Sequence, residues 1–477
     1  MKILFYNWIQ FDKKNNFGGG VNVYQKNLID YFVSNTEDEI YFLSSGVDYD
    51  LINKKTYIKK TLNMYENKCK SFSIVNSPCT APIKAMSRDL NNYLCDEVLY
   101  DIFKKFIEEC GEFDVIHFNN IEGLSSKCLE IKRNFPNTKV LFSIHNYNLF
   151  CPQTNLFCNN EVNCSDYEDG KKCYDCLSTA TISQKKAISF YRIDGVCEKL
   201  HMYKMPDKIR KLAKKRSKVN TDRKENYGKD SESYKRYRRE NVYRVNQYVD
   251  RVLAVSDRVR DIAIAMGIDK DKINTSYIGT GFADKVKKPV LHKTNNKYFK
   301  IAYMGYFNKI KGFDFLIDAL EKIPDEISKK IDFECYARIN SEEDEKKAKT
   351  VEKLNNKFHS SVHFNGYTHA ELKRIHENID LGIVPVIWED NLPQVAIEYV
   401  ADGVPVLCSN LGGAQELSKS EHFVFEAGNI NDFIKHVEYI VNNPDVLNDY
   451  FDKCIKLISM EDHIKELKEY YRGEKHG

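Results

Sequence analysis

Short apolar runs alternate with amphipathic segments along most of the chain. Runs such as ILFYNW near the start and DLGIVPV near residue 384 have the length and composition of buried strands, and VYQKNLIDYF and FDFLIDALEKI have helical periodicity. This alternation predicts parallel sheets covered by helices, and it occurs twice, on either side of a polar, linker-like stretch at 287–297. The pattern therefore predicts an α/β protein with two Rossmann-like doubly wound domains that face a central cleft. Ligands of such sheets bind at the carboxyl ends of the strands.

The length of the chain agrees with this division, because 477 residues exceed what one hydrophobic core supports. We expect a first domain over 1–287 and a second over 298–455. The remaining segment, 456–477, is predicted to be a helix that packs back on the first domain.

Charge and hydropathy limit the classes of protein to consider. The formal net charge of +3 is small for this length and gives no argument for nucleic acid. The start, MKILFYNWIQ, resembles a core strand and not a signal peptide, and no apolar run approaches the roughly 18 residues needed to span a bilayer. We expect a cytoplasmic protein, soluble or peripheral on the inner face of the cell membrane.

A basic region at about 198–244 interrupts the strand–helix pattern. It contains about 17 Lys and Arg against about 7 Asp and Glu, interleaved with tyrosines. A solvated helical insertion or a disordered loop explains this composition, and so does a patch that binds an anionic membrane surface. Tyrosines among basic residues also suit nucleic acid, but no nucleic-acid-binding motif accompanies them, so no such partner is predicted.

Five of the fourteen cysteines are clustered in a loop over 151–176. The last two form a C-x-x-C pair, a spacing that suits a tetrahedral thiolate zinc site, and four of the five would complete one. Free thiols and disulfides are the alternatives, since the spacings match no zinc ribbon or finger. The clustered cysteines are Cys151, Cys158, Cys164, Cys173 and Cys176.

The segment 381–416 contains the most informative chemistry. It is predicted to form a buried strand, an acidic turn, a short helix, a second strand and a Gly-Gly turn. Asp390 precedes the helix and Glu398 lies about two turns on, so both carboxylates can face a ligand at the helix start. Amides there, such as those of Gln394 and Val395, attract a diphosphate. The segment therefore predicts a nucleotide-sugar site.

Several ordered motifs together resemble the GT-B glycosyltransferases, specifically the family-four group of retaining, nucleotide-sugar-dependent enzymes. The resemblance covers nearly the whole chain except the basic region. The motifs are GGGVNVYQKNL at 18–28, DVIHFNN at 114–120, VLFSIHNYNLFCP at 140–152, YMGYFNKIKGFDFLIDAL at 303–320 and the segment 381–416.

The resemblance implies roles for particular residues. Lys311 would stabilise the diphosphate leaving group, Asp390 would bind the hydroxyls of the donor sugar, and Glu398 would bind the ribose. His145 would lie near the sugar and leaving group and complete the catalytic set. Further donor-site candidates are Gly19, Gly20, Gly305 and Lys309, and acceptor-side candidates are His117 and Asn119.

The chain departs from the family pattern at three places. Asp390 stands where the family has glutamate, Leu392-Pro393 replaces Phe-Gly, and Tyr306 replaces an arginine after Gly305. Proline has no N–H, so the diphosphate amides would be those of Gln394 and Val395. The lost arginine removes a planar bidentate donor, for which Lys309 could substitute as a point charge.

We therefore expect a retaining hexosyltransferase that moves a sugar from a nucleotide-diphosphate sugar to a glycan or lipid-linked hydroxyl, in bacterial surface polysaccharide synthesis. No cofactor is expected for catalysis, since Lys311 and helix starts would replace the divalent metal that other glycosyltransferases hold with an Asp-x-Asp motif. Asp48-Tyr49-Asp50 fits that motif only literally and is interpreted as a turn. The alternatives are a nucleotide-sugar-binding protein without turnover and a GT-B epimerase.

Overall fold

The structure is a computed structural model that describes residues 1–11, 19–65, 68–82, 90–159, 161–178, 184–199, 227–280, 283 and 297–474. It divides into two compact units. The N-terminal unit comprises Met1–Val255, Val259–Tyr277 and His463–Gly477, and the C-terminal unit comprises Ser256–Arg258 and Ile278–Asp462. Almost all of the predicted linker 287–297 lies outside the described residues.

The N-terminal unit is built on an eight-stranded sheet in the order β10-β9-β6-β5-β1-β2-β4-β3, with β7 and β8 forming a separate two-stranded hairpin. All pairs in the large sheet are parallel except β3 with β4. The strands are β1 Lys2–Tyr6, β2 Glu39–Asp48, β3 Tyr57–Thr61, β4 Cys69–Val75, β5 Val115–Phe118, β6 Lys139–Ile144, β7 Phe157–Cys158, β8 Val162–Asn163, β9 Arg251–Ala254 and β10 Ile273–Thr275.

Helices of the N-terminal unit connect these strands. Central strands such as β5 are buried along their whole length, as expected for a parallel sheet covered on both faces. The helices are α1 Gly19–Asn35, α2 Asn91–Cys95, α3 Glu97–Cys110, α4 Lys171–Ser178, α5 Gln184–Lys199, α6 Tyr227–Tyr248 and α7 Asp257–Ala265, with 3₁₀ turns at Ser126–Arg133 and Glu168–Gly170.

The C-terminal unit is built on a six-stranded parallel sheet in the order β13-β12-β11-β14-β15-β16. This is the 3-2-1-4-5-6 order of Rossmann sheets, so the strand order reverses between β11 and β14. The strands are β11 Phe299–Gly305, β12 Ile331–Ala337, β13 His359–His363, β14 Leu381–Val384, β15 Val406–Ser409 and β16 Val424–Phe425.

Helices and 3₁₀ turns complete the C-terminal unit. The helices are α8 Phe313–Lys322, α9 Asp325–Ser328, α10 Glu342–Lys353, α11 His369–His376, α12 Gln394–Ala401, α13 Ile430–Asn442 and α14 Val446–Asp452. The 3₁₀ turns are Leu354–Asn356, Gly413–Glu416 and Glu421–Phe423. The predicted α/β class with two doubly wound sheets is confirmed.

The last helix, α15, spans Met460–Arg472, and most of it belongs to the N-terminal unit. Two of its side chains bond to that unit: the Tyr24 hydroxyl lies 2.7 Å from His463 Nε2, and the Tyr471 hydroxyl lies 2.8 Å from His117 Nδ1. Both contacts are buried, so the end of the chain contributes to the polar interior of the first unit.

The described part of the basic region is helix α6, and it is packed, not freely solvated. Tyr234, Tyr237, Arg238 and Arg244 are buried. Arg244 pairs with Glu130 and Glu240, both at 3.0 Å, so its charge is neutralised locally. The remainder of the region, 200–226, lies outside the described residues. A search of the described helices for one long and apolar enough to cross a bilayer finds none.

Candidate active site

The carboxyl ends of β11 and β14 carry the charged residues of the segment predicted as a nucleotide-sugar site. Gly305 ends β11, and Lys311 lies in the loop that follows. Asp390 lies in the loop after β14. Because β11 and β14 are neighbours at the point where the strand order reverses, the two loops meet where Rossmann sheets bind their ligands.

Lys311 and Asp390 form an ion pair. Lys311 Nζ lies 2.5 Å from Asp390 Oδ2, and the lysine also lies over the ring of Trp388, 5.5 Å from its centroid. Asn308 Oδ1 accepts the Lys311 N–H at 3.0 Å, which fixes the loop from the other side. The sequence suggested separate ligands for these two side chains, whereas the structure joins them.

Glycines allow the loops of the site to approach one another closely. Gly312 has φ +75°, and a Cβ atom placed on it would lie 1.6 Å from the carbonyl oxygen of Pro385, just after β14. Gly412 has φ +72°, and its Cβ would lie 1.9 Å from the carbonyl oxygen of Asp390. The Lys311 loop and the Gly-Gly turn thus each pack against backbone next to the acidic turn.

We expect Gly312→Ala to destabilise the C-terminal unit by more than about 2 kcal/mol, because it combines a left-handed backbone with a clash against backbone. Gly428→Ala is a matched control: Gly428 has nearly the same φ, +76°, but no atom within 4 Å of the added Cβ. Urea unfolding of both variants isolates the steric part, and equal stabilities would contradict the packing.

Glu389, next to Asp390, has a structural role. Its carboxylate pairs with the guanidinium of Arg258, with Arg258 Nε 2.9 Å from Oε2. The same Oε2 accepts the backbone N–H of Gly412 at 2.9 Å. These bonds direct Glu389 away from Asp390 and fasten the acidic turn to the Gly-Gly turn.

Glu398 lies in the second turn of α12 and is 7% exposed. Burial, and secondarily the nearby Asp402, raises the pKa of its carboxyl from 4.5 to about 7. Burial together with Glu398 and Tyr306 also raises the pKa of the Tyr367 hydroxyl, which places Tyr367 near this acid and near Tyr306. A buried carboxyl with an elevated pKa at a switch point is typical of a ligand site.

Helix α12 starts as the sequence predicts, at Gln394, with Val395 next. Its N-cap is Pro393, which makes no side-chain cap hydrogen bond. Nearby, Trp388 Nε1 and Asn391 Nδ2 are buried donors with no hydrogen-bond partner among the described residues. Buried donors are normally satisfied, so these two mark places where a polar ligand would be bound.

Two further sequence candidates lie on the Lys311 loop. Lys309 is exposed, and its backbone carbonyl accepts the Gly312 N–H. Tyr306, where the family has arginine, is 53% exposed, and its carbonyl accepts the Tyr303 hydroxyl at 2.7 Å.

In the N-terminal unit, Gly19 and Gly20 open α1 as predicted. Gly19 has φ +55° with no atom within 4 Å of an added Cβ, and both glycines are exposed. The position is open to a ligand, whereas the preceding residues 12–18 lie outside the described residues.

The histidine and asparagine candidates form a polar network inside the N-terminal unit. His145 follows β6, its Nε2 lies 3.1 Å from Asn119 Oδ1, and its ring packs on Tyr24 at 4.7 Å. Asn119 also donates to Gln25 Oε1 at 2.6 Å. Burial lowers the pKa of His145 to about 3, so it is a neutral imidazole.

The acceptor-side expectation for His117 and Asn119 needs correction, because both are fully buried. His117 Nδ1 bonds to Tyr471 and its Nε2 lies 2.7 Å from Ser143 Oγ. Both ring nitrogens therefore have protein partners, and neither residue presents a surface to an acceptor. Their positions support His145 and the last helix instead.

Sequence reasoning missed four residues near the acidic turn: Arg258, Tyr367, Trp388 and Asn391. Arg258 and Tyr367 are distant in sequence from the acids they neighbour, so no local pattern indicates them. Trp388 had a signal, since it is one of only two tryptophans and directly precedes the acids.

The five clustered cysteines line a separate cavity in the N-terminal unit. All of the cysteines are free thiols. Within the described residues, no group of three or more His, Cys, Asp or Glu side chains is arranged to hold a metal ion.

Two Rossmann-type units, with a lysine and two acids at the switch point of the second, define the GT-B class of glycosyltransferase folds. Residues 284–456 match the family described as Glycosyl transferases group 1. The C-terminal part of the chain is thus similar to the group 1 glycosyltransferases.

Individual proteins agree with this assignment. An uncharacterized glycosyltransferase from Haemophilus influenzae is 29% identical over 189 residues, which cover 39% of this chain and 51% of that protein. The match thus spans about half the length of this curated relative.

Among solved structures, sucrose-phosphate synthase from Thermosynechococcus elongatus has a TM-score of 0.59 at 14% identity, covering 99% of this chain and 98% of that one. Anabaena HepE in complex with UDP-glucose has a TM-score of 0.55 at 12% identity, covering 99% and 100%. At these identities the likeness shows the fold.

Proposed function

We propose that the protein transfers a sugar from a nucleotide-diphosphate sugar to a hydroxyl of a glycan or lipid-linked acceptor, with retention at the anomeric carbon. The observation that carries the proposal is the Lys311–Asp390 ion pair at the switch point of the matched domain, followed by the buried Glu398 in α12. The complex of HepE with UDP-glucose supports a UDP-sugar as the first donor to test.

Each part of the donor has chemistry suited to it in the C-terminal unit. Glu398 would bind the ribose hydroxyls, and the amides of Gln394 and Val395 at the start of α12 would bind the diphosphate. Trp388 Nε1 and Asn391 Nδ2, which have no partner among the described residues, would donate to the sugar or the phosphate. We assign acceptor binding to the N-terminal unit, and Gly19 and Gly20 would let its backbone approach the donor closely.

Lys311 would act on the leaving group. Its Nζ is held by Asp390, which keeps the cation in place before the donor arrives. A diphosphate gains negative charge as the glycosidic bond breaks, and a fixed cation stabilises that charge. Lys309 would supply a second, solvent-exposed charge, and the site would need no divalent metal.

For the chemical step we propose a front-side displacement, which follows from the family resemblance. The bond between the anomeric carbon and the phosphate oxygen breaks, and its electron pair leaves with the nucleoside diphosphate. The acceptor oxygen attacks from the same face, and its proton passes to the departing phosphate oxygen. Asp390 would hold the sugar hydroxyls during this step, and His145, a neutral imidazole, would support the loop beside it.

The biological setting is also proposed from the family resemblance. The resemblance to retaining GT-B enzymes suggests a role in bacterial surface polysaccharide synthesis, and the segment 200–226 carries ten Lys and Arg against three Asp and Glu. A peripheral position at the cytoplasmic membrane face would bring a lipid-linked acceptor to the enzyme, with the basic region contacting anionic lipids.

The proposal is tested by binding and turnover of a panel of nucleotide sugars, with Glu398→Gln as the site variant. Loss of a charged acceptor costs about 1.5–3 kcal/mol, so donor affinity should fall about ten- to a hundred-fold. Donor affinity of the natural protein should also weaken as pH falls below about 7, because Glu398 is then protonated. The variant should lose that pH dependence.

Glu326→Gln is the matched control. Glu326 is an exposed glutamate on α9, which leads into the amino end of β12, whereas the proposed site lies at the carboxyl ends of the strands. Donor binding without nucleotide release in the presence of any glycan acceptor would favour the alternative, a binding protein without turnover. Failure of every donor to bind, or equal affinity of Glu398→Gln and the natural protein, would overturn the assignment.

A further inference from the structure

Five thiols surround one small cavity in the N-terminal unit, separate from the proposed donor site. The cavity has a volume of about 20 Å³, enough for a single ion or water molecule. Cys151, Cys158, Cys164, Cys173 and Cys176 all line it, together with Lys172 and Arg238.

Four of these cysteines come in two pairs, one pair on a hairpin and one pair on a helix, and Cys151 is the fifth. The hairpin of β7 and β8 carries Cys158 at the end of its first strand and Cys164 directly after its second. Helix α4 carries Cys173 and Cys176 three residues apart, so both lie on one face of the helix. The hairpin and the helix thus each carry two cysteines that line one cavity, although among the described residues no three side chains are yet arranged to hold a metal ion.

The sulfur atoms interact with one another and with donors typical of thiolate ligands. The side chains of Cys158 and Cys176 are hydrogen-bonded, and the Asn159 N–H donates to Cys176 Sγ at 3.3 Å. The guanidinium of Arg238 lies over the ring of Tyr167, 3.6 Å from its centroid, and is therefore fixed beside the cavity.

The backbone around the cavity is held in unfavourable conformations. Among the described residues other than glycine, six have positive φ, and five of these lie in this loop: Thr154, Leu156, Asn159, Glu168 and Asp169. Each such residue costs of order 1 kcal/mol, and the hairpin strands have only two residues each. Something other than secondary structure must therefore hold the loop in shape.

We propose that this cavity is a structural zinc site, with Cys173 and Cys176 as two ligands and two of Cys151, Cys158 and Cys164 as the others. Zinc bonds thiolate sulfur at about 2.3 Å in a tetrahedron and links four points of a loop, whereas a disulfide links two. Among the described residues, no three side chains are arranged as metal ligands. Zinc binding therefore requires the cysteine side chains to rotate toward the centre of the cavity.

The charges beside the cavity offset part of the charge of such a site. Four thiols lose their protons to water when they bind Zn²⁺, which leaves a net charge of −2 on the complex. Arg238 lines the cavity and supplies a positive charge beside it, whereas Lys172, which also lines it, is paired with Glu168 at 2.9 Å. The site is structural because four protein ligands close the coordination sphere of the metal.

The test measures zinc in the full-length protein purified without chelators. We expect about one zinc per chain, released by an organomercurial that modifies thiols, and a tetrahedral cobalt–thiolate absorption spectrum after exchange with Co²⁺. Removal of the metal by a chelator should lower the melting temperature. Absence of zinc combined with absence of the cobalt spectrum would overturn the proposal.

Single serine variants then locate the ligands. Cys173→Ser and Cys176→Ser should each reduce the zinc content at least several-fold, and Cys110→Ser, a partly buried cysteine on α3 outside the cluster, should leave it unchanged. If a ligand variant fails to fold, the zinc content and cobalt spectrum of the natural protein still decide between zinc and free thiols. Fewer than fourteen thiols in the unfolded natural protein would show disulfides and contradict the site.

Discussion

Replacing Lys311 by alanine is expected to lower kcat for sugar transfer by about a hundred- to a thousand-fold, the usual loss when one group that stabilises developing charge is removed. The lysine is partly buried and paired with Asp390, so its position is fixed before the donor binds. Because the charge on the diphosphate grows only as the glycosidic bond breaks, the variant should lose far more kcat than donor affinity.

The control for this variant is Lys322→Ala, an exposed lysine at the end of α8. It should keep full activity. Lys311→Ala also leaves Asp390 without its partner, so Lys311→Ala with Asp390→Asn should restore folding stability without restoring turnover. A Lys311→Ala enzyme with unchanged kcat would show that another cation, such as Lys309, stabilises the leaving group.

The fold was predictable from the sequence because its signals are local. Runs such as LGIVPV have no charged or polar side chain, as fully buried parallel strands require, and FDFLIDALEKI has helical spacing. The positions of Lys311 and Asp390 also followed, since each lies just after a strand that could be recognised. Parallel topology then brings both loops to one edge of the sheet.

The pairing of side chains within the site was not predictable. Lys311 and Asp390 are 79 residues apart, and nothing in either motif indicates that they bond to each other instead of to separate parts of a ligand. Glu389 shows the same limit. Its partner Arg258 is 131 residues away, and only the fold brings the two together.

Charge and burial misled the interpretation in the N-terminal unit. Arg238 and Arg244 contributed to the basic composition, but α6 buries both, with Arg244 paired to Glu130. His117 stands near a strand end, as catalytic residues often do, yet the Tyr471 hydroxyl covers its ring. The composition gives the number of charges and a motif gives the position of a residue in the chain. Neither indicates whether the side chain faces the core or the solvent.

The fully buried His117 and His463 and the partly buried His145 should make the N-terminal unit sensitive to acid. Burial lowers the pKa of His117 and His145 to about 3 and that of His463 to about 4, from an ordinary 6.5. As the pH falls, the histidines of the unfolded chain bind protons before those of the folded protein do. The folded state therefore has its full stability above pH 6.5 and loses stability as the pH falls toward 4. At pH 5 each histidine would cost about 2 kcal/mol.

The slope of stability against pH is the most direct measurement of this effect. Each buried histidine contributes about 1.4 kcal/mol per pH unit, so the three together give about 4 near pH 5. The positions of the two tryptophans allow unfolding of the N-terminal unit to be followed by itself. Trp388→Phe removes the tryptophan of the C-terminal unit, and the fluorescence of the buried Trp8 then reports unfolding of the N-terminal unit.

In that background, His463→Gln should reduce the slope by about 1.4 kcal/mol per pH unit, because one proton fewer is taken up on unfolding. His359→Gln, an exposed histidine in the C-terminal unit, should leave the slope unchanged. The slope separates charge from packing: a variant that only damages the core lowers stability equally at pH 7 and pH 5. A natural protein equally stable at both values would mean that these imidazoles accept protons in the folded state, contrary to their burial.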